Sequence, residues 1–385
     1  MSQREKSKQN TGAVTRVIAL EEAFLYPKLL DLYPPSYAKL LGLIKDRLTD
    51  VGPERIRRMD AAGIDLQVLS HVAPGVQTLE SALAIDLAKE VNDWLGEVVR
   101  TYPTRFAGFA MLPMQSPHEA ADELERTVTQ LGFKGALVNG HTQGRYLDDD
   151  AFAVVLERAQ ALDAPIYIHP TDPPQAITDI YYRDYPALVT GGWGWQVETG
   201  THLLRLMCAG VFDKYPRLKI IVGHMGELIP YTLKRLNLAL TLGEWLIASQ
   251  EQQSASSKRP GGMQKSVRYY MHENVFITTS GLFDQATFNC ALAEVGIENI
   301  LFSVDDPFGD NFEAMEFLKA AHLSAEEREQ LAHGNAERLL KLGAGAHARS
   351  GSNHSIAQQL RSSLFAFNAQ AKSKVARTML SYLVK

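Results

Sequence analysis

Six side chains of types that do chemistry stand at the ends of short apolar runs. Glu21 closes the run RVIALEEA, His71 the run DLQVLSH and His141 the run KGALVNGH. His169 closes PIYIHP, His224 closes KIIVGH and Asp305 closes ILFSVD. Neutral imidazole and carboxylate oxygen are ordinary ligands of Zn²⁺, and carboxylates also suit Mn²⁺ and Mg²⁺. One divalent ion per subunit is expected, with zinc as the first choice and manganese or magnesium as the others. Glu21, His169 and Asp305 make a three-ligand set with open positions, which is catalytic in character. Side chains alternate along a strand, so residue 23 points the way residue 21 does. Residue 23 is an alanine, so the first strand offers a single ligand, and Glu21 is in phase with it. Asn139, Gly140 and His141 end the fourth run, where a bridging lysine between two metals would stand. One ion is therefore expected, not two. Glu227 follows His224 by three residues, a spacing that lets it fix the imidazole's tautomer if a helix starts there.

The elements that must position these groups alternate. Eight β-rich runs are separated by helix-like segments such as 80–99, 118–131, 151–162, 228–240 and 285–295. Most runs are continuously apolar, as for strands buried on both faces. Eight such strands alternating with helices predict a closed parallel (β/α)8 TIM barrel, whose chemistry sits at the C-terminal strand ends. No G-x-G-x-x-G follows the first strand, which argues against a dinucleotide-binding open sheet. Residues 26–52 read as a long loop able to cover the site.

Among the 385 residues, 45% are hydrophobic and 22% charged, enough for a packed core. No apolar stretch reaches a membrane span, and residues 1–14 read as a flexible N-terminus without a secretory core. The net charge of −5 argues against a nucleic-acid surface. Two cysteines, Cys208 and Cys290, fit a reducing, cytoplasmic setting. The barrel domain is expected over 15–343. From 344 to 385 a linker and a basic amphipathic helix are expected as a C-terminal extension.

The motifs LEEAF, RRMDAAGID, SHVAPGVQ, GFKGALVNGHTQGRYLDD, PIYIHP, GHMGE, TTSG and LFSVDDPF together resemble the metal-dependent, non-oxidative aromatic acid decarboxylases of the amidohydrolase superfamily. These act on γ-resorcylate, 2,3-dihydroxybenzoate, salicylate and 5-carboxyvanillate. The resemblance runs from about Ile18 to Leu342. It implies Glu21, His169 and Asp305 as metal ligands and His224 as a catalytic histidine. It also implies Asp305 as the acid that protonates the ring carbon, either directly or with His224 relaying the proton. Arg55 and Arg235 correspond to its substrate-contacting arginines. Trp193, Trp195, Phe308 and Tyr26 are candidates for apolar walls around the ring. The expected partners are a small aromatic carboxylic acid and further copies of the chain, as a homo-dimer or homo-tetramer. A metal hydrolase of a lactone or amide, and a decarboxylase of a semialdehyde-type acid, are the competing readings.

Overall fold

The computed structural model describes residues 14–251 and 262–343. The helix expected over 344–385 and the N-terminal residues 1–13 lie outside the described residues. Among the described residues, nine parallel strands form the frame. They are β1 (Ile18–Phe24), β2 (Leu66–His71), β3 (Phe106–Gly108), β4 (Ala110–Met111), β5 (Ala136–Asn139), β6 (Ile166–His169), β7 (Ile220–Val222), β8 (Val275–Thr278) and β9 (Ile300–Leu301). They run in order as β1-β2-β3 and β4 through β9. Leu20 bridges Ser303, and its amide donates to the Phe302 carbonyl at 3.2 Å, so the last strand meets the first and the barrel closes.

The third expected strand is broken at Phe109 into β3 and β4. Gly108 is wedged there, where a Cβ would meet Leu95 at 3.0 Å and Phe133 at 3.1 Å. Alternation is hidden in the apolar runs but real in space. Ile18, Leu20, Leu66, Val68 and Ile221 fill the barrel interior. Val17, Ala19, Leu69, Ile220 and Val222 face the helices outside. Two apolar layers share each strand, which is why its sequence lacks a polar face.

Helices follow their apolar spacing. In Ser81–Thr101, Ala84, Leu87, Ala88, Val91 and Leu95 are buried on one stripe, and the Glu80 carboxylate caps the start by accepting from Ala82 and Leu83 amides. Residues 26–52 are not an open loop. Prolines start two of the three short helices there, Pro27–Leu30, Pro35–Gly42 and Lys45–Leu48. Their end is tied to β1, with the Leu25 amide donating to the Leu48 carbonyl at 2.9 Å. The final helix is interrupted by a π-turn over Gln330–Gly334. Among the described residues no helix is long and apolar enough to cross a membrane.

Candidate active site

Glu21 takes its place through a bulge. The β1–β2 register shifts between Ala19 and Glu22, and Glu21 adopts φ 59°. That extra residue turns Glu21 into the barrel and Glu22 out of it. Glu21 Oε2 accepts from the hydroxyls of Tyr167, Ser280 and Thr278. Its Oε1 is buried and has no hydrogen-bond partner. That oxygen lies 3.5 Å from His169 Nε2 and 3.9 Å from His224 Nε2. Gly223 is required beside it, since a Cβ there would lie 3.0 Å from Glu21 Oε2.

His169 ends β6 and donates from Nδ1 to the Pro170 carbonyl at 2.9 Å, leaving the Nε2 lone pair facing Glu21. Burial lowers its pKa and keeps it neutral. His224 and Glu227 meet at 2.7 Å through Nδ1. They do so without a right-handed helical turn. His224, Met225, Gly226, Glu227 and Leu228 have φ of 49°, 55°, 80°, 52° and 67°, one turn wound left-handed. Such a turn costs about 1–2 kcal/mol per non-glycine residue, and strain of this kind gathers at functional sites. Burial opposes a charge on His224, but the carboxylates of Glu227 and Glu21 outweigh it and hold the imidazole up to about 10. Burial also pushes Glu227 up while the imidazolium pulls it down. The nearby Glu21 favours the charge on His224 but opposes the one on Glu227, and the short contact favours the imidazolium–carboxylate pair.

Asp305 has φ 69°, and its carboxyl is held well above the usual range by burial and by the charge of Glu21. Asp305 and His224 both stand beside Gly281. A Cβ there would lie 3.7 Å from His224 Cδ2 and 3.8 Å from Asp305 Oδ2. These two groups, with Glu227, open into a cavity of about 280 Å³, at the small end for ligand sites. Trp195, Phe283 and Phe308 give it aromatic walls, and Gln196, Asp310 and Glu313 stand at its edge.

Among the described residues, no three His, Cys, Asp or Glu side chains already converge to enclose an ion. The residues nevertheless fit one: Glu21 Oε1 is an orphaned buried acceptor aimed at a neutral imidazole lone pair. Glu21 and Asp305 supply the carboxylate chemistry, and the hydroxyls on Glu21 Oε2 hold that ligand in place.

The other residues named from the sequence take the following places. Arg55 is fully buried and does not line the cavity, because its guanidinium is consumed by Gln67 at 2.7 Å, the Ala23 carbonyl at 2.9 Å and Asp306 at 3.2 Å. Arg235 is exposed on the helix Ile229–Glu251, two residues (about 200°) around from buried Leu233. Trp193 is 47% exposed, and its neighbour Trp195 lines the cavity in its stead, anchored by donating to Asp172 at 2.7 Å. Tyr26 also lies away from the cavity lining, donating its hydroxyl to Glu90 at 2.8 Å. Phe308 lines the cavity.

His71 is a satisfied core histidine, bonded to Val72 and Tyr26 backbone, with burial lowering it to about 4. His141 turns to Tyr146, which packs edge-on against His202. Tyr167, Thr278 and Ser280 join the site without having been singled out by sequence reasoning. The two-residue step from Tyr167 to His169 is the signal that points to the first.

Near His202, burial raises the Glu198 carboxyl to about 7, against the pull of the Tyr146 hydrogen bond and of Arg205. The native state then holds this proton across a pH window in which the unfolded chain, with a carboxyl near ~4.3, has lost it. Stability should fall as pH rises through that window. Urea unfolding at about pH 5 and about pH 8 should show a smaller loss for Glu198→Gln than for the unaltered chain. Equal losses would refute the assignment.

The chain matches the family described as amidohydrolase over residues 45–342. It is 41% identical over 333 residues to the gamma-resorcylate decarboxylase of Polaromonas sp. strain JS666, covering 84% of this chain and 98% of that one. The dihydroxybenzoic acid decarboxylase of the same organism, solved with manganese and the inhibitor 2-nitroresorcinol, superposes with a TM-score of 0.75. It shares 38% identity, over 87% of this chain and 99% of that one. The 5-carboxyvanillate decarboxylase of Novosphingobium aromaticivorans, solved with manganese and 3-methoxy-4-hydroxy-5-nitrobenzoic acid, gives 0.78 at 33% identity, over 86% and 98%. With a closed (β/α)8 barrel and its acidic and imidazole groups gathered at the C-terminal strand ends, the chain belongs to the amidohydrolase family, on its branch of metal-dependent non-oxidative decarboxylases.

Proposed function

We propose that the chain removes CO₂ from an ortho-hydroxylated benzoic acid, with a dihydroxybenzoate as first candidate. The observation that carries this is the orphaned Glu21 oxygen facing His169 and His224 beneath a small aromatic-walled cavity that Asp305 enters. A divalent ion held by Glu21, His169 and Asp305 would supply Lewis-acid polarisation of the carboxylate and the adjacent phenolate oxygen. Manganese is the ion in the related structures named above; zinc, the first choice from the donor set, and magnesium are the other ions to test.

The residues of this chain carry the proton. Trp195, Phe283 and Phe308 flank the ring and keep water from it. Asp305, protonated, delivers its proton to the ring carbon bearing the carboxylate. The bond from that carbon to the carboxylate breaks, the electron pair returns to the ring, and CO₂ leaves. Asp305 is left as a carboxylate, and His224, oriented by Glu227, returns a proton to it. Exposed Ile180, Tyr181, Tyr185, Tyr231 and Leu238 support self-association, and a content of two cysteines, Cys208 and Cys290, supports a reducing cytoplasm.

Metal-stripped protein should be assayed for CO₂ release from 2,6-dihydroxybenzoate, 2,3-dihydroxybenzoate, salicylate and 5-carboxyvanillate, with Mn²⁺, Zn²⁺ or Mg²⁺ restored. Release from at least one acid, and only with an ion, is expected. Turnover that ignores chelation, or none on any of the four, would overturn the proposal.

A further inference from the structure

Two pairs of neighbouring acids stand at the seam that closes the barrel: Glu21-Glu22 on β1 and Asp305-Asp306 just beyond β9. In each pair the first residue has positive φ and faces the site, while the second is fully buried and turned away. The second residues are laced together. Glu22 accepts from the Val304 amide at 2.9 Å and the Asp306 amide at 3.2 Å, the two amides that flank Asp305. Its carboxylate also accepts from Gln67 at 3.1 Å. Arg55 reaches across the seam, donating to the Ala23 carbonyl at 2.9 Å and the Asp306 carbonyl at 3.3 Å. It pairs with the Asp306 carboxylate, which Arg47 meets from the other side at 2.6 Å.

We propose that Glu22, Arg55 and Asp306 are positioning residues: they clamp the backbone that follows Glu21 and the backbone on either side of Asp305, and so aim both carboxylates at one point. This rests on reading Glu21 and Asp305 as metal ligands. Left-handed backbone at a non-glycine residue persists only where its surroundings over-determine it. Here those surroundings are charged and buried, so their geometry is stiff. A network serving barrel stability alone has no need to grip these particular amides and carbonyls.

The test is a Mn²⁺ titration of metal-stripped, full-length protein, read by the electron paramagnetic resonance of the free ion. Glu22→Gln keeps the shape but loses an acceptor for the flanking amides. The double variant Arg55→Met with Asp306→Asn removes the two charges of this pair together, so that neither is left buried without the other. Each should bind Mn²⁺ at least about tenfold more weakly. Glu123→Gln serves as a control. It disturbs another buried group, bonded to Asn92 at 2.7 Å and Arg126 at 2.8 Å, and should leave affinity unchanged. Arg47→Gln, at the network's partly exposed edge, should weaken binding less but in the same direction, and it decides the matter if the buried variants do not fold. Affinities within twofold of the unaltered protein would overturn the positioning role while leaving the metal site intact. Failure of the unaltered protein to bind Mn²⁺ would remove the metal reading, and this inference with it.

Discussion

Asp305→Ala is expected to lower turnover by ~10³-fold, the scale of a lost general acid. The substitution removes the proton source beside the ring and a carboxylate expected on the ion. Asp305→Asn separates the two roles. It keeps an oxygen for the ion but carries no acidic proton, so it should bind Mn²⁺ nearly normally yet turn over almost as slowly as the alanine variant. Steady-state rates and metal content of both variants check this. Activity within tenfold of normal in either one would refute Asp305 as the acid.

Glu21→Gln is expected to weaken Mn²⁺ binding by more than ~10²-fold, beyond what loss of a supporting contact costs. The three hydroxyls of Tyr167, Thr278 and Ser280 all reach Oε2, so the amide oxygen should occupy that place. The NH₂ is then forced onto the orphan position, where a donor faces the imidazoles and cannot ligate. The cofactor-free protein should unfold at nearly the normal temperature, because the hydroxyl cradle is kept. Elemental analysis with thermal unfolding would show both effects. Normal metal content in the variant would remove Glu21 as a ligand.

Strand ends are legible in the sequence because a polar residue terminating an apolar run is conspicuous. Glu21, His169, His224 and Asp305 stand out for that reason from the order of residues alone. What alternation does not supply is direction at the turns. Glu21 reaches the interior through a bulge, and Glu227 reaches His224 through a left-handed turn, neither of which periodicity encodes. Trp193 and Trp195 show the same limit in a loop, where a short step along the chain separates solvent from cavity. Arg55 departs from expectation for a different reason. An arginine near a carboxylate-binding site suggests the ligand, yet Asp306 already claims it. Histidine count is also a weak guide, since His71 and His141 end apolar runs but bond to their own local backbone.

The closure of β9 onto β1 has a consequence for how the protein matures. Glu22 and Asp306 lie 284 residues apart, and so do the acids beside them. A growing polypeptide that has emerged only as far as β8 lacks Asp305 and the far half of the clamp. Full uptake of an ion at the proposed site must therefore come after synthesis of the last strand, as a final step of a slow, long-range closure. The loaded ion would then act as the rivet of the seam, so starvation for metal should be felt first as a loosening of the joint between the chain's earliest and latest strands.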